Sequence, residues 1–261
     1  MHIIVLVKQV PATDNVRMDE KTGTMIRAGS DSVVNPTDEN AVTEAVRLKK
    51  EAGATVTALS MGPEAASRAL REAYAMGVDR CVLLSGRAFA GSDTIATARA
   101  LAAAVRKAGP VDLVLAGERA TDGETGQTGP MVGALLGLPV ITYAQKLVLG
   151  EGGLEVERLV EGGFERMACP LPALVTVVKG INHPVVPSLH LKLRAKKLDI
   201  PQWGAADLEV PAGELGLNGS PTRVARIFSP KLSRNTVWYR ENGGHDGLTA
   251  LADWLTGEGL I

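Results

Sequence analysis

The residues of greatest chemical interest form a polar loop that follows the apolar run at residues 113–116. Glycines alternate in this loop with hydroxyl and amide side chains, and an apolar pattern after Pro130 predicts a helix that ends at Gly137. A strand, a glycine-rich turn and a helix direct backbone N–H groups and the positive end of the helix at one spot, which suits a phosphate. The spacing is equally compatible with a connecting loop that binds nothing. The groups that would form the anion site are Gly117, Thr121, Gly123, Thr125, Gly126, Gln127, Thr128 and Gly129.

The common nucleotide and catalytic motifs do not occur in the sequence. There is no Gly-Lys-Ser/Thr of a Walker A motif, and the loop's glycines are three apart, unlike the Gly-x-Gly-x-x-Gly fingerprint. No serine lies in a nucleophile elbow, and the histidines show no ligand or triad spacing. We therefore predict no catalytic residue and no metal site, and interpret the chain as a holder of a nucleotide. The histidines are His2, His183, His190 and His245.

The composition limits the possible partners and location. Hydrophobic residues make up 45% and charged residues 22% of the 261 residues, which is ordinary for a globular protein with one large domain or a domain plus an appendage. Aromatic residues are 3% and the net charge is −1, so we expect no nucleic-acid partner. No apolar stretch is long enough to span a bilayer, and residues 3–7 are too short an apolar run for a signal peptide. Cys81 and Cys169 suggest buried free thiols, so we expect a cytoplasmic protein without membrane insertion.

The first half of the chain predicts the sheet that would position the polar loop. Five short apolar runs alternate with helical patterns, which is typical of an α/β protein with a doubly wound, mainly parallel sheet. In the order 3-2-1-4-5 the first and fourth strands are neighbours, and ligands bind beyond the carboxyl ends of strands at such a switch point. The segment Asn35-Pro36-Thr37-Asp38 is a helix start, with Thr37 or Asp38 as N-cap, and would reach the same crevice. The strands are predicted at residues 3–7, 55–60, 81–84, 111–116 and 140–143.

After residue 144 the pattern changes from helical to alternating. Residues 148–160 alternate apolar and charged side chains around Glu151-Gly152-Gly153, which predicts a hairpin, and Glu161-Gly162-Gly163 predicts a further turn. The β-branched run at residues 174–178 is expected to join the sheet.

Three later segments and one early segment are predicted to lie at the surface. Residues 182–188 predict a loop, and residues 189–198 mix leucines with cations that suggest a solvated helix face. The tail from Asp199 has one clear helical pattern, at residues 248–255, and would lie on the parent domain or embrace a partner. Residues 15–29 are polar and suggest a surface excursion or hairpin.

Several motifs occur in order along about the first 200 residues. They are Val7-Lys8-Gln9-Val10-Pro11, Asn35-Pro36 with Asp38-Glu39, Ser60-Met61-Gly62-Pro63, residues 75–80, Gly91-Ser92-Asp93-Thr94, the loop at 117–130, and the segment from Val156-Glu157-Arg158 to Pro172-Ala173-Leu174. Together they resemble the beta subunit of electron transfer flavoprotein, and the last segment is similar to that family's signature pattern.

The resemblance implies a heterodimer with an alpha subunit that carries a redox-active FAD. Such a pair shuttles electrons between dehydrogenases, such as acyl-CoA dehydrogenases, and a downstream acceptor. The family's beta subunit holds an adenine nucleotide, which is structural AMP in one branch. In another branch it is a second FAD that accepts a hydride from NADH for flavin-based bifurcation. Asp122-Gly123-Glu124-Thr125 and Gly219-Ser220-Pro221-Thr222 look more like the FAD branch, so we expect FAD here, with AMP as the alternative.

The resemblance also implies a set of cofactor-binding residues by motif position. Among them, Asp122 would repel a phosphate and is assigned to adenosine or to bracing the loop. The implied residues are Leu6, Asn35, Pro36, Thr37, Asp38, Met61, Gly117, Asp122, Gly123, Glu124, Thr125, Gly126, Gln127 and Thr128.

The resemblance further implies a docking loop for dehydrogenases at about residues 184–197, with Leu189 at the position of its apolar anchor. An apolar anchor with a charged rim favours weak, rapidly exchanging binding. One departure is that Pro184 is followed by Val185, where the family usually has arginine. The predicted organisation is a nucleotide alpha-hydrolase-like domain at 1–198 and a C-terminal arm at 199–261 that packs on the alpha subunit.

Two other functions use a similar sheet. An ATP-using enzyme of the adenine-nucleotide alpha-hydrolase type would usually carry a glycine-rich pyrophosphate loop after the first strand, where this chain has Lys8-Gln9-Val10-Pro11. A stress-type nucleotide sensor would bind ATP without chemistry and would need neither the docking loop nor the long tail.

Overall fold

The computed structural model describes residues 1–12, 32–225, 236, 238 and 246–261 of the chain. The excursion predicted at residues 15–29 lies outside these described residues. The chain divides into two compact units, Met1–Ala225 and Arg226–Ile261. Residues 199–225, which the sequence analysis assigned to an arm, therefore belong to the compact unit that contains the sheet.

The first unit is built on a nine-stranded sheet, and a separate antiparallel ribbon consists of β2 (Gln9–Pro11) and β3 (Ser32–Val34). The strands of the sheet are β1 (His2–Leu6), β4 (Thr55–Met61), β5 (Arg80–Leu84), β6 (Leu113–Gly117), β7 (Val140–Gly150), β8 (Gly153–Val160), β9 (Gly163–Cys169), β10 (Ala173–Val177) and β11 (Gln202–Trp203). Their order is β11-β5-β4-β1-β6-β10-β7-β8-β9. Pairing is parallel from β11 to β7, and the hairpins β7–β8 and β8–β9 are antiparallel.

The predicted strand order is correct from β5 to β6 and wrong at the next position. β10 lies between β6 and β7 and pairs in parallel with both, so the predicted fourth and fifth strands are not neighbours. The physical reason is burial: every residue of β10 is buried, whereas β7 is only partly buried. A continuous apolar run is most favourable in the interior of a parallel sheet that is covered on both faces.

Helices cover both faces of the sheet, which confirms the doubly wound α/β fold. The helices are α1 (Pro36–Ala52), α2 (Ser67–Met76), α3 (Thr94–Lys107), α4 (Thr128–Leu136), α5 (Leu189–Lys196) and, in the second unit, α6 (Asp246–Gly257). α1 and α2 pack on one face, against strand residues such as Val5 and Ala58. α3 and α4 pack on the other face, against neighbouring strand residues such as Ile4 and Leu59.

The N-cap of α1 lies two or three residues before the predicted Thr37 or Asp38. Asn35 is the N-cap and Pro36 is the first helical residue, so Thr37 and Asp38 lie inside the first turn. Proline suits this position because its fixed φ is helical and its missing N–H would have had no partner within the helix. The side chains of Thr37 and Asp38 are thereby free to bond outside the helix.

The later elements agree with the alternation seen in the sequence. β7 and β8 form the predicted hairpin, with Gly150 opposite Gly153, and β8 pairs with β9 across the second predicted turn. β11 extends the sheet beyond β5, and α6 covers the helix predicted at residues 248–255. Within the described residues, no helix combines the length and apolar character needed to cross a membrane.

Candidate functional site

A crevice of about 810 Å³ opens at the carboxyl ends of β5, β4, β1 and β6, and so includes the predicted switch point. Most of the residues implied as cofactor-binding line it. These are Leu6, Asp38, Met61, Gly117, Gly123, Glu124, Thr125, Gly126, Gln127 and Thr128. Four implied residues do not line the crevice, namely Asn35, Pro36, Thr37 and Asp122.

Asn35 and Thr37 bond the polar loop on the side that faces away from the crevice. Asn35 Nδ2 donates to the Arg119 carbonyl oxygen at 2.9 Å, and Thr37 Oγ1 donates to the same oxygen at 2.7 Å. The Thr121 backbone N–H donates to Asn35 Oδ1 at 3.2 Å. Both side chains are buried, so the first turn of α1 sets the position of the loop without facing the crevice.

Asp122 also braces the loop, which is one of the two roles expected for it. Its side chain is only 3% exposed, and its Oδ1 lies 2.5 Å from Lys8 Nζ. This ion pair joins the loop to the segment that follows β1. Because the lysine neutralises Asp122, that carboxylate does not repel an anion bound in the crevice.

Asp38 joins the two strands at the switch point. Its Oδ2 accepts from the Lys8 backbone N–H at 2.8 Å, just after β1, and its Oδ1 accepts from the Gly117 N–H at 3.1 Å, at the end of β6. Burial raises the pKa of Asp38 to about 7, although the Asn35 side chain, the two backbone N–H groups and the charge of Lys8 oppose this rise. The protonation state of this carboxyl therefore changes near neutral pH.

We expect the stability of the protein to depend on pH through Asp38. Between pH 3.8 and about 7 the folded state keeps a proton that the unfolded chain releases. The free energy of unfolding contributed by this group therefore falls as pH rises through this range, by about 4 kcal/mol in total. Urea unfolding of the wild type and Asp38→Asn from pH 4.5 to 8 measures this, because asparagine does not titrate. Parallel stability curves for the two proteins would contradict the assignment.

The start of α4 is suited to an anion. Its N-cap residue, Gln127, makes no side-chain capping bond and so provides no acceptor for the first backbone N–H groups of the helix. Gly126, immediately before, has φ of +62°, which a glycine adopts without strain. A β-carbon at Gly129 would lie 2.7 Å from Thr176 Cγ2, so this glycine allows α4 to pack closely on β10. The geometry fits a nucleotide phosphate at the helix end.

The crevice has a second wall that was not predicted from the sequence. This wall follows β5 and consists mainly of residues 85–94, with Gly62 and Pro63 beside them. A signal was present: Gly91-Ser92-Asp93-Thr94 follows the third predicted strand, whose carboxyl end lies at the same edge of the sheet.

The segment after β1 argues against the pyrophosphate loop of an ATP-using hydrolase. Gln9–Pro11 forms β2, which pairs with β3 and contains no glycine. Among the described residues, no group of histidine, cysteine and carboxylate side chains could hold a metal ion.

The chain is similar to known proteins over most of its length. Residues 22–208 match the electron transfer flavoprotein domain. Over 235 residues, 90% of each chain, it is 46% identical to the electron transfer flavoprotein subunit beta of Thermoanaerobacterium thermosaccharolyticum. The chain belongs to the electron transfer flavoprotein family, as a beta subunit. This confirms the resemblance drawn from the motifs, and the function of the chain is electron transfer.

Two other relatives of this electron transfer flavoprotein subunit have names that differ from that of the first relative. It is 45% identical over 231 residues, 88% of each chain, to the caffeyl-CoA reductase-Etf complex subunit CarD of Acetobacterium woodii. It is 39% identical over 238 residues to Protein FixA of Azotobacter vinelandii, covering 88% of this chain and 85% of that relative.

The segment implied as the flavoprotein's docking loop contains α5. Leu189, the implied anchor, is 74% exposed at the first position of the helix. The cations of α5 lie on an exposed face, as expected, and two of them also connect α5 to α2. Lys192 Nζ lies 2.8 Å from Glu72 Oε1, and the Arg194 guanidinium lies 6.0 Å from the centre of the Tyr74 ring. These contacts hold the helix on the domain while its leucine remains accessible.

Proposed function

We propose that this electron transfer flavoprotein beta subunit binds FAD in the crevice and forms a heterodimer with an alpha subunit that carries another FAD. The pair would pass electrons from dehydrogenases to a downstream acceptor. The observation that carries this proposal is the uncapped start of α4 beside the glycines of the polar loop, at a topological switch point.

The chain's own residues would bind and orient the nucleotide. The first N–H groups of α4, with Thr125 and Thr128, would donate to phosphate oxygens. The bound flavin would supply the hydride and electron chemistry. No side chain of the crevice is assigned a covalent or acid–base step.

The extent of the crevice favours FAD over the alternative, AMP. It spans the ends of four adjacent strands, about 14 Å at the usual spacing between strands. A mononucleotide at the switch point would fill the part nearest β1 and β6, whereas a dinucleotide also requires the part nearest β4 and β5. The motif Gly219-Ser220-Pro221-Thr222 resembles that of the FAD-binding branch of the family, which agrees with this preference.

The proposed electron-transfer partners are inferred from the chemistry of the flavins and from the name of one relative. Because that relative is named as part of a caffeyl-CoA reductase-Etf complex, we propose a dehydrogenase or reductase of CoA esters, such as an acyl-CoA dehydrogenase, as a partner. With one FAD in each subunit, NADH would be the hydride donor for bifurcation. The proposal includes a cytoplasmic location, and a C-terminal arm that packs on the alpha subunit.

The test is a count of nucleotides in the complex co-expressed with the alpha subunit of the same organism. The purified heterodimer is denatured, and released FAD and AMP are separated and quantified. Two FAD and no AMP per heterodimer is the expected result. One FAD and one AMP per heterodimer would show that this subunit binds AMP and not FAD. A stable heterodimer with neither nucleotide in the beta subunit would overturn the assignment of the crevice.

Leu189→Ala is expected to weaken docking of the dehydrogenase without changing the fold. The side chain is mostly exposed, so the free energy of unfolding should change by less than about 0.5 kcal/mol. Removal of a buried interface anchor typically costs about 2 kcal/mol, so the KM for the dehydrogenase should rise about 30-fold. Steady-state electron transfer measures this, with a small artificial acceptor as the control that should be unaffected. An unchanged KM would exclude Leu189 as the anchor.

A further inference from the structure

Three cations line the crevice, and two of them are neutralised within the chain. Lys8 pairs with Asp122 at 2.5 Å, and the Arg119 guanidinium lies 3.7 Å from the carboxylates of Glu118 and Glu124. Arg87 is exposed in a 3-10 turn after β5 and makes no ion pair with any residue that the structure describes. Its charge is therefore available to a ligand.

Arg87 lies on a rigid loop. Phe89, two residues later, is only 6% exposed and packs in the core beneath α3. The Phe89 backbone N–H donates to the Gly86 carbonyl at 3.2 Å, and Ser92 Oγ donates to the Phe89 carbonyl at 2.8 Å. These contacts fix the backbone from which the Arg87 side chain extends.

Residues 216–222 hold this loop in place. Ser220 Oγ accepts from the Asp93 backbone N–H at 2.8 Å and lies 3.2 Å from the Gly91 carbonyl oxygen. Thr222 donates its N–H and its hydroxyl to Asp93 Oδ2, at 3.1 and 2.8 Å. The Leu217 N–H donates to the Ala90 carbonyl at 3.0 Å. The motif that resembles the FAD branch therefore braces the wall that carries Arg87.

The two ends of the crevice are too far apart to serve one phosphate. α4 follows β6 and Arg87 follows β5, with β1 and β4 between them, a separation of about 14 Å at the usual strand spacing. Adenine is neutral and gains no charge during electron transfer. A flavin ring carries carbonyl oxygens and gains negative charge when it is reduced, so it is the half of FAD that an uncompensated cation favours.

We propose that the wall at residues 85–93 receives the flavin half of FAD and that Arg87 stabilises the reduced flavin there. This inference rests on the proposed binding of FAD to this subunit. It assigns to Arg87 both a share of FAD affinity and control of the flavin's reduction potential.

The test compares Arg87→Gln and Arg87→Lys with the wild type, each as the full heterodimer. The nucleotide of the beta subunit is removed, FAD and AMP are titrated back separately, and the reduction potential of the rebound flavin is measured. We expect Arg87→Gln to weaken FAD binding about tenfold, to leave AMP binding within about twofold, and to make the potential more negative. Arg87→Lys should restore most of the potential, since it keeps the charge.

Arg80→Gln is the matched control, because it removes the same charge from the opposite end of β5. It should change neither FAD affinity nor potential. Wild-type FAD affinity and potential in Arg87→Gln would overturn this inference alone, as would equal weakening of FAD and AMP. A wild-type complex that holds AMP and does not bind FAD in this subunit would overturn the proposed function, and this inference with it.

Discussion

Gly117→Ala should disrupt the packing of β6 against α1 at the switch point and abolish nucleotide binding. A β-carbon at position 117 would overlap the Thr37 hydroxyl and the Asp38 carboxylate, and would lie 2.8 Å from the Thr37 carbonyl carbon. Side chains can rotate away, but the backbone of Thr37 is fixed in the first turn of α1. The methyl group therefore separates β6 from α1 and breaks the hydrogen bond from the Gly117 N–H to Asp38. We expect a loss of about 3 kcal/mol in the free energy of unfolding.

Urea unfolding and the nucleotide retained by the purified heterodimer measure the two effects. Gly123→Ala is the matched control, since it lies in the same loop and its added methyl group meets nothing within 4 Å. The control should change stability by less than about 0.5 kcal/mol. Equal stability of the two variants would show that the end of β6 can move away from α1 without cost, and would contradict the close packing of these two elements.

Gly219→Ala should make the second wall of the crevice, residues 85–93, less rigid. Its β-carbon would overlap the Glu214 carbonyl group and lie 2.6 Å from the Leu215 backbone nitrogen. All of these are backbone atoms of the turn closed by the hydrogen bond from Gly219 N–H to the Leu215 carbonyl, at 3.0 Å. The turn must open, and Ser220 then moves away from the loop that it braces. We expect a loss of about 3 kcal/mol in stability and faster amide exchange in residues 85–93.

Hydrogen exchange followed by mass spectrometry measures the local effect, and urea unfolding measures the global one. Gly213→Ala serves as the control in the same segment, because its added methyl group meets nothing within 4 Å. If amide exchange in residues 85–93 stayed at the wild-type rate in Gly219→Ala, the wall would hold its position without residues 216–222.

Most of the fold could be predicted from the sequence because its signals are local. The apolar runs, the capping residues and the glycines that end helices at Gly53 and Gly137 act over a few residues, and the structure contains the elements they predict. The position of β10 was not predictable in this way. Its apolar run indicates a buried strand but does not indicate which two strands flank it, since that depends on pairing between distant segments.

The same distinction between local signals and long-range contacts applies to the candidate site. The polar loop was predictable because a glycine-rich turn between a strand and a helix has a local chemical signature. The directions of the side chains were not predictable. Because α1 begins two or three residues earlier than predicted, Thr37 bonds the Arg119 carbonyl and Asp38 bonds the ends of two strands.

The family, the α/β class and the loop after β6 can be predicted from the sequence alone, since each depends on the types and order of neighbouring residues. The second wall of the crevice and the availability of the Arg87 charge depend on contacts that form when the chain folds. An arginine in a surface loop is ordinarily solvated, and its sequence neighbours do not reveal its pairing. It becomes distinct only when folding pairs Lys8 with Asp122, and Arg119 with Glu118 and Glu124, while Arg87 makes no ion pair with any residue that the structure describes. The Lys8–Asp122 pair joins residues that are distant in the chain and close in space.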